Sequence, residues 1–150
     1  MLGLTIQEFA DRLNEIIPVL MRSFARQQTN ELFKGKITFP QFLILDSLHK
    51  QGEAKMSDLA RFMKVSTAAM TGIADRLVRD GYAQRVYDPK DRRIIRIKAT
   101  ARGVELVKRI YAQRRRMIIK IFAKLPESDR REYLRILASI RDVLVKEKEA

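Results

Sequence analysis

Residues 56–100 read MSDLARFMKVSTAAMTGIADRLVRDGYAQRVYDPKDRRIIRIKAT. Apolar residues recur every three or four positions in the first half of this stretch, which predicts two short helices. We expect Ser57 to cap the first helix and Ser66 the second, because a serine hydroxyl accepts a hydrogen bond from the free amides of a first helical turn. Asp80-Gly81 is expected to end the second helix. The stretch therefore begins with a predicted helix-turn-helix.

The second half of the stretch predicts two strands joined by a charged turn. The strands are expected over residues 82–87 and 94–98, and the second arm is rich in β-branched isoleucine. The turn, residues 88–93, reads DPKDRR, and Asp and Pro are typical turn residues. A helix-turn-helix followed by an arginine-tipped hairpin is suited to binding double-stranded DNA. The second helix would enter the major groove, and the hairpin would reach phosphate or the adjacent minor groove.

The outward face of the second predicted helix has small and hydroxyl-bearing side chains near its start. The candidate DNA-binding residues on this face and at its cap are Ser66, Thr67, Ala68, Thr71, Gly72 and Arg76. Small side chains let the backbone approach the groove floor, and threonine offers a hydroxyl to base edges and a methyl to thymine. Arg76 is expected to contact a phosphate on the flank. The alternative interpretation is a short solvated helix with an ordinary cap.

Two adjacent arginines, Arg92 and Arg93, occupy the predicted turn. Neither can contribute to a core there, and a narrow A·T-rich minor groove attracts arginine through its negative potential. Asp91 precedes Arg93 by two residues and can hold its guanidinium extended for insertion. The alternative is an Asp-Arg surface pair worth about 0–1 kcal/mol. We expect at least one of the two arginines to enter the minor groove.

The charge of the chain points to an anionic partner. The 150 residues suit a single domain, and the formal net charge is +13. Residues 85–120 contain 13 Lys or Arg against 3 acidic residues, a net charge of +10. Simple solubility is the alternative explanation for a basic chain. The concentration around the hairpin favours nucleic acid instead.

Catalysis and metal binding are not expected. Cysteine is absent, which excludes disulfides, thiolate catalysis and cysteine-rich zinc sites. His49 is the only histidine, so a histidine-based metal site lacks ligands. No Ser-His-Asp set, glycine-rich phosphate loop or carboxylate pair in apolar surroundings is recognisable. We therefore expect a protein that is not an enzyme and has no cofactor.

Long amphipathic helices are predicted at both ends of the chain. Thr5 and Glu8 have the spacing of a capping box for a first helix, whose apolar stripe runs over residues 6–24. After a break at Pro126, a last helix carries apolar residues over positions 133–144. These stripes are larger than one subunit can cover. They predict a homodimer, in which a symmetric partner covers them.

Two further helices are expected between these ends. One starts near Phe39-Pro40 and stops at Gln51-Gly52, and the other is capped by Thr100. No apolar run approaches the roughly 20 residues of a membrane span, and the first residues lack the pattern of a signal peptide. We expect a cytoplasmic protein without a membrane partner.

Three motifs follow one another in a characteristic order. They are Ser57-Asp58-Leu59-Ala60, then residues 71–77 (TGIADRL) with Gly81, then Asp91-Arg92-Arg93 followed by Thr100 and Gly103. In these motifs the chain resembles the MarR (multiple antibiotic resistance regulator) family of winged-helix transcriptional regulators, whose wing signature is the last of them. The six-helix layout extends the resemblance over essentially the whole chain. Ala99 departs from the leucine that the family usually has before that threonine, which is expected to weaken a packing contact in the wing.

The resemblance implies a fold and a division of the chain. The fold is mainly α with a small β-hairpin wing, a winged helix-turn-helix combined with a helical dimerisation domain. Residues 36–99 would form the DNA-binding region, and residues 1–35 and 100–150 the dimerisation region. The homodimer would place its two recognition helices in successive major grooves of a pseudo-palindromic operator.

The resemblance also implies a function. Family members usually repress transcription, and many release DNA when a small phenolic or carboxylate effector binds between the two domains. The prediction is a sequence-specific, ligand-responsive dimeric repressor. The alternative is a winged-helix architectural DNA-binding or protein-docking module without an effector.

No effector-binding residue is assigned from the sequence. Several aromatic residues would fall near the ligand region of the family, but aromatic residues at helical spacing are more typical of a core. They are Phe24, Phe33, Phe39, Phe42 and Tyr111. The cluster Arg114-Arg115-Arg116 is open to three interpretations: a surface facing DNA, an attraction for an anionic effector, or a solvated helix face.

Overall fold

The computed structural model describes residues 3–27 and 35–149. The helices are α1 Ile6–Gln27, α2 Phe39–Gln51, α3 Met56–Met63, α4 Thr67–Arg79, α5 Ala101–Phe122 and α6 Glu127–Glu149, and the strands are β1 Ala54–Lys55, β2 Ala83–Tyr87 and β3 Ile95–Ala99. The predicted class, mainly α with a small β-hairpin, is confirmed. The chain divides into two compact units, one up to Arg114 and one from Arg115 onward.

The hydrophobic core of the first unit lies between α2, α3, α4, the sheet and the first half of α5. Its largest fully buried side chains are Ile44, Leu45, Leu48, Met70, Leu77, Ile97, Leu106, Val107 and Ile110. They come from four elements that are distant in sequence, so burying them joins the helix-turn-helix, the sheet and α5 into one body. Burial at roughly 25 cal/mol per Å² of apolar surface makes this core the main source of stability.

Local capping signals explain where most helices begin and end. The Ser66 hydroxyl accepts a hydrogen bond from the Ala69 amide at 3.1 Å, so the predicted cap of α4 is confirmed. Gly81 follows the end of α4 with φ +80°, a left-handed conformation that suits glycine, which confirms the predicted stop. The Thr100 hydroxyl accepts a hydrogen bond from the Gly103 amide at 3.2 Å and caps α5 as predicted.

The predicted cap of α3 is wrong. Ser57 lies inside the first turn, because α3 begins at Met56 and its N-cap is Lys55, which makes no side-chain capping bond. Lys55 is also the last residue of β1 and pairs with Arg96 of β3. The chain thus passes from a strand directly into the helix. No local signal in the sequence shows this strand pairing, and the helix starts at an earlier residue than predicted.

The sheet has three strands instead of the two that were predicted. Its order is β1-β3-β2, with both pairs antiparallel. Along the wing, Ala83 pairs with Ala99 and Tyr87 with Ile95, so each arm lies within one residue of its predicted bounds. The strand β1 has only two residues, too few to show an alternating pattern.

The helix α1 begins with the predicted capping box. The Thr5 amide donates a hydrogen bond to Glu8 Oε2 at 2.9 Å, and the Glu8 amide donates one to Thr5 Oγ1 at 3.2 Å. Hydrogen bonds from the Thr5 amide and hydroxyl lower the pKa of Glu8. Most apolar residues of α1 are exposed in the single chain, and Ile6 is 71% exposed, whereas Phe24 is half-buried. This confirms a long amphipathic helix whose apolar stripe remains uncovered.

The second unit contains the other uncovered stripe. The rings of Phe122 and Tyr133 stack with their centroids 5.4 Å apart, and α6 begins directly after Pro126 as predicted. Apolar side chains remain exposed along α6, namely Leu134, Ile136, Leu137, Ile140, Val143, Leu144 and Val145.

Candidate nucleic-acid interface

The helix α4 separates an inward apolar face from an outward polar one. Met70, Ala74 and Leu77 are fully buried in the core of the first unit. The predicted DNA-binding residues on α4 and at its cap are all exposed, namely Ser66, Thr67, Ala68, Thr71, Gly72 and Arg76. The core contacts therefore orient α4 so that its candidate residues face solvent together.

Hydrogen bonds within α4 determine what its hydroxyl groups offer to a ligand. Thr71 Oγ1 donates to the Thr67 carbonyl at 2.9 Å, so its remaining lone pairs can accept from an external donor. The Ser66 hydroxyl accepts from the Ala69 amide and retains its own hydrogen to donate. Against a groove, Thr71 would therefore present an acceptor and a methyl group, whereas Ser66 would present a donor suited to phosphate.

Among the described residues, none packs closely against the position that a side chain at Gly72 would take. A methyl group added at its Cα would meet nothing within 4 Å. A glycine inside a helix costs roughly 0.5–1 kcal/mol relative to alanine, and nothing in the described residues offsets that cost. The open space beside Gly72 belongs to a cleft of about 300 Å³ that Thr38, Gln41 and Arg76 also line. The absence of a side chain at Gly72 favours close approach by an external surface.

The tip of the wing is a hydrogen-bonded turn. Asp88 Oδ1 accepts hydrogen bonds from the amides of Lys90 at 2.8 Å and Asp91 at 3.2 Å. The Ile94 amide donates to the Asp91 carbonyl at 3.0 Å. This pattern, in which an aspartate side chain bonds to the following backbone, stabilises the turn without apolar contacts.

The predicted contact between Asp91 and Arg93 is present, whereas insertion of Arg93 into a groove stays a prediction. Asp91 Oδ1 accepts from the Arg93 amide at 3.0 Å and from Arg93 Nε at 3.1 Å, and Asp91 Oδ2 accepts from the guanidinium at 3.3 Å. The side-chain hydrogen bond from Arg93 lowers the pKa of Asp91. The Arg93 side chain is nevertheless 92% exposed. Arg92 is exposed as well and, within the described part of the chain, has no ion-pair partner.

The recognition helix and the wing share one cleft. This cleft has a volume of about 430 Å³, and its lining residues are Lys55, Met56, Ser57, Thr67, Thr71, Arg85, Arg93, Ile94 and Ile95. It brings Thr67 and Thr71 of α4 together with Arg93 of the wing. Arg76 and Gly72 line the other cleft, beside α2. Ala68 and Arg92 line neither of these two clefts.

Comparison with known proteins identifies this architecture. A family model described as "MarR family" matches residues 37–95. The multiple antibiotic resistance protein MarR of Salmonella typhimurium is 30% identical over 103 residues, which cover 65% of this chain and 72% of that protein. The chain belongs to the MarR family. It is a DNA-binding transcriptional regulator with a winged helix-turn-helix, and it is not an enzyme.

Two further similarities extend beyond the winged helix. The HTH-type transcriptional repressor MdtR of Bacillus subtilis is 27% identical over 124 residues, covering 83% of this chain and 80% of MdtR. The crystal structure of Bacillus subtilis YusO superposes with a TM-score of 0.78 at 25% identity, covering 92% of this chain and 98% of YusO. The likeness thus includes helices on both sides of the winged helix.

One element of the interface of this MarR-family protein was missed by the sequence reading. Asp75 of α4 accepts a hydrogen bond from the guanidinium of Arg85 on β2, in an ion pair that joins the recognition helix to the wing. Asp75 is not among the DNA-binding residues predicted from the sequence. The two residues are ten positions apart, a separation that no helical or strand period relates, so only the folded chain reveals the pair.

Of the aromatic residues near the family's ligand region, Phe42 and Tyr111 contact each other, whereas Phe39 is exposed. The Phe42 and Tyr111 rings meet edge to face with centroids 5.9 Å apart, and the Arg114 guanidinium lies 5.6 Å from the Phe42 centroid. The Tyr111 hydroxyl donates to Asp46 Oδ1 at 2.8 Å. Phe42 is a buried core residue, as its helical spacing suggested. Phe33 lies outside the described residues.

Arg114, one of the three clustered arginines, therefore has a structural role, because it packs α5 onto α2. Its neighbours Arg115 and Arg116 are exposed. Within the described residues, no group of three or more His, Cys, Asp or Glu side chains is placed to hold a metal ion. None of the helices there has the length and apolar character required to cross a membrane.

Proposed function

We propose that this MarR-family protein is a homodimeric, sequence-specific transcriptional repressor that binds a pseudo-palindromic operator. The observation that carries the proposal is the shared cleft, in which Thr67 and Thr71 of α4 lie beside Arg93 of the wing. A recognition helix with small polar groups and an exposed arginine next to it match a major groove and the adjoining minor groove. Residues 36–99 would act as the DNA-binding region.

The dimer is proposed from the uncovered apolar stripes. Residues 1–35 and 100–150 would form the dimerisation region, in which a second copy covers the exposed apolar residues of α1 and α6. A two-fold axis makes the same patches meet on both subunits. It also sets two recognition helices about 34 Å apart, the distance of one helical turn of DNA. A pseudo-palindromic operator follows from that symmetry.

We further propose that the protein represses transcription and that a small-molecule effector releases it from DNA. The relative MdtR is named as a repressor, and release by a ligand is the common behaviour that the family resemblance implied. The cytoplasmic location expected from the sequence stays a prediction that agrees with a chromosomal DNA partner. The second candidate function is an architectural DNA-binding or docking module without an effector.

The ratio of operator affinity to random-duplex affinity tests the proposal. An operator is first selected from a pool of random duplexes, and binding is then measured by fluorescence anisotropy at one fixed salt concentration. We expect a ratio of about 10³ or more, as for specific regulators. A ratio near one would contradict sequence-specific repression and favour the architectural alternative. Salt dependence alone does not distinguish them, because phosphate contacts dominate both.

A further inference from the structure

A cleft at the base of the wing has a strongly basic lining. It lies where the end of α4, the start of β2 and the first turns of α5 meet, and its volume is about 770 Å³. The lining residues are Lys36, Arg79, Asp80, Tyr82, Arg102, Glu105 and Arg109. Four of these side chains are cationic and two are anionic, so the lining carries a net charge of +2.

The acidic residues of this basal cleft leave Arg102 and Arg109 available. Arg79 Nε lies 4.0 Å from Asp80 Oδ1, at the limit of an ion pair. Glu105 follows Arg102 by three residues and precedes Arg109 by four, which is a spacing that permits pairing on a helix. Over residues 3–27 and 35–149, however, no carboxylate oxygen lies within 4.0 Å of the guanidinium nitrogens of Arg102 or Arg109.

Arg102 is held in place by contacts that do not use its hydrogen-bond donors. Its guanidinium carbon lies 4.9 Å from the centroid of the buried Tyr82 ring. The guanidinium also lies against the residue after α4, since a Cβ at Gly81 would be in van der Waals contact with Arg102 Nη1 at 3.4 Å. The contact holds the guanidinium against the ring, and within the described residues no hydrogen bond uses its N–H groups, which remain available for an acceptor. Arg102 is therefore preorganised for an oxyanion.

The walls of the basal cleft are also fixed by the backbone. The Thr100 hydroxyl donates to the Gly81 carbonyl at 2.6 Å, which ties the start of α5 to the residue after α4. A Cβ at Gly103 would lie 2.0 Å from the Tyr82 carbonyl oxygen, so α5 and the residue before β2 approach as closely as a glycine allows. A ligand would thus find its cationic groups on elements that are already fastened together, which reduces the entropy cost of binding.

We propose that the basal cleft binds a small molecule with at least two oxyanion groups, carboxylate or phosphate. Arginine forks match both groups in bidentate geometry, and the net charge of +2 complements a divalent anion. The volume falls in the range of about 300–1,000 Å³ typical of small-molecule sites. The cleft lies at the opposite end of β2 from the wing tip, a strand of five residues or roughly 17 Å. The ligand is therefore distinct from the duplex proposed at the wing tip.

Isothermal titration calorimetry on the full chain without DNA tests this site. Pyrophosphate and citrate serve as the phosphate and carboxylate probes, each compared with sodium chloride at matched ionic strength. We expect one site per chain for at least one probe, and the stronger of the two identifies the oxyanion class. Because no DNA is present, a lack of anion binding would contradict the basal-cleft site without bearing on the proposed repressor function.

Matched variants decide whether the arginines of the basal cleft form the site. Arg102→Gln combined with Arg109→Gln should weaken binding at least tenfold, whereas Lys146→Gln combined with Lys148→Gln, which removes the same charge from α6, should change it less than twofold. Arg109→Gln alone should weaken binding about fivefold. Arg109 is exposed, so replacing it should leave the fold intact. The single variant therefore still tests the site if Arg102→Gln unfolds the chain. Equal weakening in the α6 control, or no binding beyond chloride, would overturn the proposal and indicate an adventitious ion only.

Discussion

The outer face of α4 and the tip of the wing present opposite chemistry to solvent. On α4 the exposed groups near the start are uncharged and small, and the Thr71 hydroxyl is oriented by its bond to the Thr67 carbonyl. At the wing tip Arg92 and Arg93 are exposed cations, and Asp91 orients the second of them. Uncharged acceptors and methyl groups distinguish bases, whereas charge responds to phosphate and to groove shape. We therefore expect α4 to supply discrimination and the wing to supply affinity and a preference for A·T pairs.

The largest expected effect comes from preventing dimerisation, because a monomer has one α4 and one wing where the proposed dimer has two of each. Truncation after Pro126 deletes α6 with its exposed apolar stripe, so we expect a monomer in sedimentation velocity at micromolar concentration. Operator affinity should fall by about 10² or more, because linked half-sites gain that much from effective concentration. The point variant Leu137→Asp should act in the same direction, with Ser139→Asp as its exposed control on the same helix. A full-length chain that sediments as a monomer would refute the two-fold arrangement.

The next largest expected loss of operator affinity comes from a substitution in the wing alone. Arg93→Ala should weaken operator binding by about 1–3 kcal/mol, the usual cost of losing an arginine in a groove. Titration by fluorescence anisotropy measures the change, and Lys146→Ala, on α6, is the charge-matched control. Small and equal losses in both variants would mean that the wing does not insert an arginine.

A smaller effect should separate discrimination from affinity within α4. Thr71→Ala should lower the ratio of operator to random-duplex affinity by about 1 kcal/mol, since it removes an acceptor and a methyl group. Arg76→Ala should weaken both duplexes about equally through a lost phosphate contact. Binding to a series of operators with single base-pair changes distinguishes these results. If Arg76→Ala instead abolishes recognition of one base pair, then Arg76 reads the base and the two roles are exchanged.

The smallest expected loss of affinity comes from changing base pairs of the operator that α4 does not contact. Replacing A·T by G·C pairs under the wing, outside the footprint of α4, should weaken binding a few-fold because it widens the minor groove and reduces its negative potential. The loss should disappear in Arg93→Ala, which has no guanidinium to respond. Footprinting locates the wing, and anisotropy measures the affinity. If the wild-type protein binds both duplexes with the same affinity, the wing contacts phosphates only and does not respond to the minor groove.

Local features of the interface could be predicted from the sequence because their signals lie within one helical turn or one tight turn. The Ser66 cap, the Gly81 stop and the Asp91–Arg93 contact each depend on residues no more than three positions apart. The outward placement of the α4 candidates followed from helical periodicity around Met70 and Leu77. These features need only the stereochemistry of the backbone and the alternation of apolar and polar positions.

The tertiary structure decided what depends on distant segments meeting. β1 exists because Ala54 and Lys55 pair with β3 more than 40 residues later, and this pairing displaced the start of α3 from the Ser57 cap. The ion pair of Asp75 with Arg85 joins α4 to β2. The basal cleft likewise gathers cationic side chains from the segment before α2, the end of α4 and the start of α5. Sequence alone determined the elements and their exposed chemistry, because those are set by near neighbours. Only packing of the core determined which charged groups of distant segments face one another, since that requires the chain to fold back on itself.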